Sequence, residues 1–231
     1  MVKRRIRPAK LVSMVARAVV ALGFFLRLYT LGSESLWFDE LMELEIASGP
    51  LAHLFTRLRH HTALPLDYLL IGLWTELGRA DAWVRLPAAV LGTLTLPFAF
   101  QLGRRMIGST TGLLFMILLA ISPFHIQFSQ EVRPYALVVL GTILTTYGFW
   151  QVRQDGHWGD WLILQLGMII AVLAHIFAGF VVAALLAALL IDLVFSRDRQ
   201  RVVRVAGLLV LATVPLLVVF WLMGWFDVLF Y

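Results

Sequence analysis

The chain is a series of long apolar runs separated by short polar segments. Most runs approach the roughly 20 residues that an α-helix needs to cross the hydrocarbon core of a bilayer. The predicted spans are residues 11–31, 84–103, 110–128, 134–151, 158–174, 176–195 and 205–224. Because the stretch 161–195 is too long for one span, we expect a tight hairpin near His175, Ala178 and Gly179. The pattern predicts an all-α, multi-span membrane protein with about seven transmembrane helices.

The apolar stretch Pro65–Leu77 decides the topology. Its 13 residues are too few to cross about 30 Å of hydrocarbon. If it lies in the interface, twelve of the nineteen Lys and Arg residues fall on one side, as the positive-inside rule requires of the cytoplasm. We therefore predict one membrane domain, 1–231, in the cell membrane. Its parts are a cytoplasmic tail (1–10), a first extracytoplasmic loop with interfacial helices (32–82) and six further spans (84–224).

Composition supports the membrane class and excludes several others. The sequence is 61% hydrophobic, with a mean hydropathy of +0.87, which no soluble domain of this size can bury. It has no cysteine, so disulfides, thiolate nucleophiles and zinc-thiolate sites are excluded. The net charge of +5 comes from cations that flank apolar runs, where they orient helices and contact lipid head groups. The expected partner is the lipid bilayer and not a nucleic acid.

Five carboxylates follow the first span, between residues 34 and 45. Asp39 and Glu43 are four apart and Glu40 and Glu43 three apart, so on an interfacial helix they share roughly one face. Acids placed together at a membrane surface suit proton abstraction or cation binding. We take Asp39 and Glu40 as the candidate catalytic residues. The alternative is that these acids only solvate the end of a helix.

Other polar residues on the same predicted face are candidates for substrate binding. Arg133 suits a lipid-linked phosphate because its planar guanidinium matches phosphate oxygens; alternatively it pairs with Glu131 or extends to head groups. The substrate-binding candidates are Arg133, Tyr135, His60, His61, Trp37, Gln130 and Glu131. Glu40 with His61 is a candidate site for a divalent metal. The two histidines alternatively cap an interfacial helix.

Several motifs occur in order: Leu36–Glu40, Pro65–Leu70, Arg85–Gly92, Gly103–Gly108 and Ser122–Leu137. Together they resemble the N-terminal half of polytopic glycosyltransferases of the C-type superfamily, in the protein O-mannosyltransferase and aminoarabinose transferase group. The resemblance covers roughly residues 20–150. It implies a sugar donor linked to a polyprenyl phosphate and inverting transfer on the extracytoplasmic face. It also implies an Asp at the start of the first outer loop, which matches Asp39, with Glu40 as its companion.

The chain departs from the family pattern in two ways. Many relatives carry a His or Lys directly before a Pro at the third loop helix, where this chain has Ala63-Leu64-Pro65, so His60, His61 or Arg133 must substitute. Relatives are also usually much longer. The chain is therefore expected to be a truncated enzyme, a split enzyme whose partner chain supplies further spans, or an inactive relative.

The expected activity is mannosyltransferase-like transfer of a hexose or pentose from a polyprenyl-phosphate sugar to an unidentified acceptor. The donor groove is predicted to be lined by Trp37, Phe38, Trp74 and Tyr135. One alternative is a non-catalytic membrane scaffold or subunit. A second alternative is a transporter, since Arg17, Arg27 and His175 lie within or near spans.

Overall fold

A computed structural model describes residues 8–61, 63–154 and 157–195, together with Leu217 and Trp221. These residues form helices and connecting turns and contain no strand. The helices are α1 (Pro8–Leu28), α2 (Phe38–Ala47), α3 (Leu54–His61), α4 (Pro65–Thr75), α5 (Asp81–Met106), α6 (Ser109–Ile121), α7 (Pro123–Gln127), α8 (Tyr135–Arg153), α9 (Trp158–Ala174) and α10 (Ala178–Val194). The predicted all-α class is confirmed.

Three of the described helices are long and apolar enough to cross a membrane. They are Lys10–Leu28 within α1, Asp81–Met106 and Tyr135–Arg153. The shorter helices α6, α9 and α10 are also apolar. This composition is that of a helical membrane protein. The predicted seventh span, 205–224, lies outside the described part of the chain except for Leu217 and Trp221, and residues 1–7 of the predicted cytoplasmic tail also lie outside it.

The helices α8 and α9 form the most extensive helix pair. Glycines allow their backbones to approach: a Cβ added at Gly141 would lie 2.5 Å from the backbone nitrogen of Ala171. A Cβ at Gly148 would lie 2.5 Å from the backbone nitrogen of Leu164. Small residues at such positions let membrane helices gain van der Waals contact without a hydrophobic driving force between them. The pair ends at the predicted hairpin, where His175 is extended and α10 begins at Ala178.

Arg27 lies in the first span but is fully buried among helices. Its Nη1 donates to the carbonyl of Gly23 at 2.8 Å and to that of Ala120 at 3.4 Å, and its Nη2 donates to the carbonyl of Leu119 at 3.4 Å. The last two carbonyls end α6, where the helix dipole favours a positive charge. This cation therefore faces other helices rather than lipid.

The predicted span 110–128 consists of two helices in the structure. Helix α6 ends at Ile121, and α7 begins at Pro123 after a break at Ser122. Ser122 acts as the N-cap, since its hydroxyl accepts a hydrogen bond from the backbone N–H of His125 at 3.4 Å. Proline at the first helical position fits this start. The chain then runs through residues 128–134 into α8, and this connecting segment carries Arg133.

The stretch around Pro65 forms the eleven-residue helix α4. Its length of about 16 Å is about half of what a span needs. An apolar cluster joins α2, α4, α5 and the 128–134 segment: Ala47, Ile71, Val84 and Val132. A second cluster joins α2 to α3: Ile46, Leu54 and Leu58. These contacts hold α2, α3 and α4 against the end of the bundle where α5 starts.

Candidate functional site

The site begins at the first turn of α2, which contains both Asp39 and Glu40. Carboxylates are favoured there by the helix dipole. The backbone N–H of Trp37 donates to Glu40 Oε2 at 3.2 Å, which closes the start of the helix. Adjacent helical residues point about 100° apart, and here that separates the two acids. The side chain of Asp39 is 43% exposed, whereas Glu40 is fully buried.

Glu40 is held by a two-point ion pair with Arg85 of α5. Arg85 Nε donates to Glu40 Oε1 at 2.8 Å and Arg85 Nη2 donates to Oε2 at 2.6 Å. The backbone N–H of Val132 donates to Oε1 at 2.9 Å. Burial raises the pKa of the Glu40 carboxyl, but the hydrogen bonds from Arg85, Val132 and Trp37 together lower it by more. The net pKa therefore lies below its ordinary value. Glu40 therefore stays ionised and joins α2, α5 and the 128–134 segment.

These contacts bear on the roles predicted for Glu40. Both of its oxygens already accept hydrogen bonds, so the geometry favours a positioning role over proton transfer or metal binding. No group of three His, Asp or Glu side chains in the described part of the chain is arranged to hold a metal ion. His60 and His61 end α3, but their side chains lie outside the described part, so their predicted roles stay predictions.

Arg133 lies on the other side of α2, next to Asp39. Its Nη1 donates to Glu43 Oε2 at 3.2 Å, and its Nη2 lies 3.9 Å from Asp39 Oδ2. The guanidinium carbon is 5.6 Å from the centre of the Tyr135 ring, in a cation–π contact. Arg133 is 23% exposed. An accessible cation thus stands beside an accessible carboxylate, with Glu43 fixing one end of the cation.

Below Arg133 lie two buried acids, Glu43 from α2 and Asp67 from α4. Their side chains interact with each other, and the Tyr68 hydroxyl also interacts with Glu43. Burial and the neighbouring Asp67 raise the pKa of Glu43 well above its usual range, and burial raises the pKa of Asp67. This pair forms the floor beneath the Asp39–Arg133 pair.

An aromatic group borders the same side. The Tyr135 ring contacts Phe128 edge-on, with centroids 4.5 Å apart, and lies 6.2 Å from the His175 ring. Burial, and then the charge of Arg133, lower the pKa of His175. The structure therefore brings together the α2 acids, the segment before α8 and His175.

A separate cleft of about 660 Å³ borders Arg85, and neither Asp39 nor Arg133 lines it. It is lined by Thr30, Leu31, Ser33, Glu34, Ser35, Trp37, Arg85, Pro123, Ile126, Gln127, Gln130 and Glu131. The Gln130 side-chain amide donates to the carbonyl of Tyr29 at 2.7 Å and so ties the cleft wall to the end of α1. Glu131 Oε1 accepts from Gln127 at 3.2 Å, and burial raises the Glu131 pKa.

The predicted substrate-binding residues thus fall into two groups. Trp37, Gln130 and Glu131 line the cleft, whereas Arg133 stands beside Asp39 and Tyr135 contacts Arg133. The predicted donor groove is divided in the same way. Trp74, another aromatic residue of the predicted groove, stacks on Trp83 with ring centroids 4.6 Å apart. Its indole N–H donates to the Trp83 carbonyl at 2.8 Å.

Sequence reasoning did not assign roles to Arg85 and Asp67, which prove central to the site. Both are charged residues within apolar segments, and such residues need a partner when buried. That signal marks them as important but does not identify the partner. Glu40 lies 45 positions before Arg85, and no local pattern joins the two.

Comparison with protein families supplies a match. A family profile described as dolichyl-phosphate-mannose-protein mannosyltransferase matches residues 60–225, well over half of the chain. This confirms the resemblance drawn from the motifs. Arg85 and Arg133 lie within the matched region, and Asp39 precedes it. No curated protein and no solved structure matches the chain.

Proposed function

The chain belongs to the dolichyl-phosphate-mannose-protein mannosyltransferase family, and from that membership we propose that it transfers a sugar from a polyprenyl-phosphate donor to an acceptor. The observation that carries the proposal is the pairing of two accessible charges at the start of α2. Asp39 is half-exposed, and Arg133 stands 3.9 Å from it with one nitrogen fixed by Glu43. A proton acceptor beside a phosphate-binding cation is what glycosyl transfer from a lipid phosphate requires.

In the proposed reaction, an acceptor hydroxyl or amine gives its proton to a carboxylate oxygen of Asp39. The acceptor's oxygen or nitrogen bonds to the anomeric carbon of the sugar as the bond from that carbon to the phosphate oxygen breaks. The electron pair of the broken bond leaves with the polyprenyl phosphate, which gains negative charge next to Arg133. Attack from the side opposite the leaving phosphate inverts the anomeric centre.

Glu40 and Arg85 have a supporting role in this scheme. By joining α2 to α5 and to Val132, they set the distance between Asp39 and Arg133. No step is assigned to a metal ion, because the oxygens of Glu40 are already bound by Arg85 and by backbone N–H groups.

We further propose that this face is extracytoplasmic. Asp39, Arg133 and His175 stand at the end of the bundle where α5 and α8 begin. Arg104 and Arg105 stand at the other end, near the last turn of α8, since Trp150 Nε1 donates to the Arg105 carbonyl at 3.3 Å. The positive-inside rule puts that cationic end in the cytoplasm.

The proposal is tested with purified protein in proteoliposomes that contain a polyprenyl-phosphate sugar. We expect sugar transfer by the wild type. We also expect Arg133→Ala to weaken donor binding by about 1.5–3 kcal/mol, the range for hydrogen bonds to charged groups. Arg133→Lys should recover only part of this loss, because lysine lacks the planar fork. Arg105→Ala, at the opposite end of α5, is the matched control and should bind donor like the wild type.

Two results would contradict the proposal. Equal donor affinity in the wild type and Arg133→Ala, with both proteins folded, would leave Arg133 as a residue that pairs only within the protein. Absence of transfer from every polyprenyl-phosphate hexose or pentose tried would favour a non-catalytic scaffold.

A further inference from the structure

Arg133 rests on a buried pair of acids. Glu43 is 1% exposed and Asp67 is 4% exposed. Glu43 Oε2 accepts from Arg133 Nη1 at 3.2 Å. The other oxygen of Glu43, Oε1, and the Asp67 oxygen Oδ2 are also buried, and no well-formed hydrogen bond from the described residues reaches either one, although the Tyr68 hydroxyl lies close enough to Glu43 to interact with it. Buried polar atoms without a partner are uncommon, so each needs an explanation. For two neighbouring carboxyl groups, a proton held between them supplies one.

The charges lead to the same conclusion. If both acids were ionised, two buried negative charges would face Arg133, which is also drawn toward Asp39 at 3.9 Å. Among the described residues, the other titratable groups that bear on the pair are Tyr68 of α4 and, through Arg133, His175. Neither supplies a second positive charge, because the pKa of His175 is lowered and that of Tyr68 is raised. Neighbouring buried carboxyls relieve this repulsion by keeping one proton between them.

We propose that Glu43 and Asp67 share one proton and together act as positioning residues for Arg133. A proton on one carboxyl supplies the donor that the other lacks, and the pair then presents a single negative charge to the guanidinium. One charge holds Arg133 Nη1 and leaves Nη2 toward Asp39 and the ligand. The inference rests on the proposed function only in taking a phosphate as the ligand of Arg133.

The net charge of the pair explains why one proton matters. If both Glu43 and Asp67 were ionised, their two negative charges would outweigh the positive charge of Arg133 and would repel a phosphate. With none, Arg133 would pair with Asp39 and occupy the carboxylate that the proposed reaction needs. One shared proton gives the intermediate state, in which Arg133 is fixed and still attracts an anion.

The proton itself is detected by infrared spectroscopy of the purified protein in lipid at pH 7.5. We expect a carbonyl-stretch band from a protonated carboxyl in the wild type and its loss in both Glu43→Gln and Asp67→Asn. Each of those variants removes one acid and lets the other ionise. Glu45→Gln, on the exposed side of α2, is the matched control and should keep the band. A band that survives in either buried-site variant overturns the shared proton.

Positioning is detected by the affinity for polyprenyl phosphate without a sugar, measured in lipid nanodiscs. Each single variant keeps one negative charge and should bind within about threefold of the wild type, whereas Glu43→Gln/Asp67→Asn should bind about tenfold more weakly. Because Gln and Asn keep the shapes of Glu and Asp, such a loss in the double variant reflects the missing negative charge rather than lost packing. Thermal unfolding checks that all variants are folded. If the single and double variants then weaken polyprenyl-phosphate binding equally, the positioning role is overturned.

The pH profile supplies an independent readout. As pH rises from 7.5 to 9.5, the wild-type pair should lose its proton and affinity should fall, because a second negative charge then opposes the phosphate. Glu43→Gln has no such proton to lose, so its affinity should stay constant. Parallel profiles for the two proteins would contradict the inference. Because the ligand carries no sugar, these results stand apart from whether the protein catalyses transfer.

Discussion

The Glu40–Arg85 ion pair gives the sharpest test of how the site is built. Glu40→Gln keeps the side-chain shape but removes the charge. In the wild type, N–H groups of Arg85, Val132 and Trp37 donate to the two oxygens of Glu40 at 2.6 to 3.2 Å. In the variant, the amide N–H₂ group replaces one of these oxygens. A donor would face a donor, and the Arg85 charge would be buried without its partner.

The expected cost follows from that geometry. Removing one member of a buried ion pair typically destabilises a protein by about 3–5 kcal/mol. Arg85 also donates to the carbonyls of Leu31 at 3.2 Å and Glu34 at 2.8 Å, which offset part of the loss. We therefore expect Glu40→Gln to lower the free energy of unfolding by about 3 kcal/mol, the lower end of that range.

The free energy of unfolding is measured in detergent. Protease sensitivity of residues 32–80, the segment between α1 and α5, is measured alongside it. Arg85→Met alone should also destabilise, because it leaves Glu40 buried without its cation. The double variant Glu40→Gln/Arg85→Met should be more stable than the sum of the single effects predicts, by about 2 kcal/mol. Glu45→Gln is the control and should change stability by less than about 0.5 kcal/mol. Wild-type stability in Glu40→Gln, together with lost turnover, would refute this reasoning and restore the predicted catalytic role.

The remaining predictions concern the bundle. Gly148→Ala should destabilise the protein by about 1–3 kcal/mol, since the added Cβ meets Leu164 backbone. Gly179→Ala, with open space around it, should be neutral or slightly stabilising in the same unfolding assay; equal effects would mean that α8 and α9 are not closely packed. For topology, alkaline phosphatase fused within residues 76–80 should be active in a bacterial host, and a fusion after Gly108 should be silent. The reverse pattern would place Asp39 on the cytoplasmic side.

The helical framework could be predicted from the sequence because hydrophobic runs report helix length directly. The interval 158–174 agrees with α9, and the hairpin at His175 lies where expected. The break between α6 and α7 was missed: Ser122-Pro123 is a helix-start signal, but Phe124 and Ile126 continue the apolar run across it. The continuous hydropathy of the run hid the local helix-start signal.

Only part of the candidate site could be predicted, because helical spacing shows which residues share a face but not which of them are buried. The spacing of Asp39 and Glu43 predicted a common face, and in the structure both acids approach Arg133. Helical spacing gave no means of distinguishing an exposed Asp39 from a buried Glu40 in the same turn. Burial depends on partners far along the chain, here Arg85, and periodicity within one helix carries no information about them.

The most direct test of the account is sugar transfer by Asp39→Asn. The substitution keeps the shape of the side chain but removes its ability to accept a proton, so turnover should fall by about 10²–10⁴ while donor binding persists. Glu45→Gln, another carboxylate of α2 but exposed and away from Arg133, should turn over like the wild type. The assay is single-turnover transfer from a polyprenyl-phosphate sugar in proteoliposomes. Wild-type turnover by Asp39→Asn would contradict the central claim and leave Asp39 as a structural residue at the start of α2.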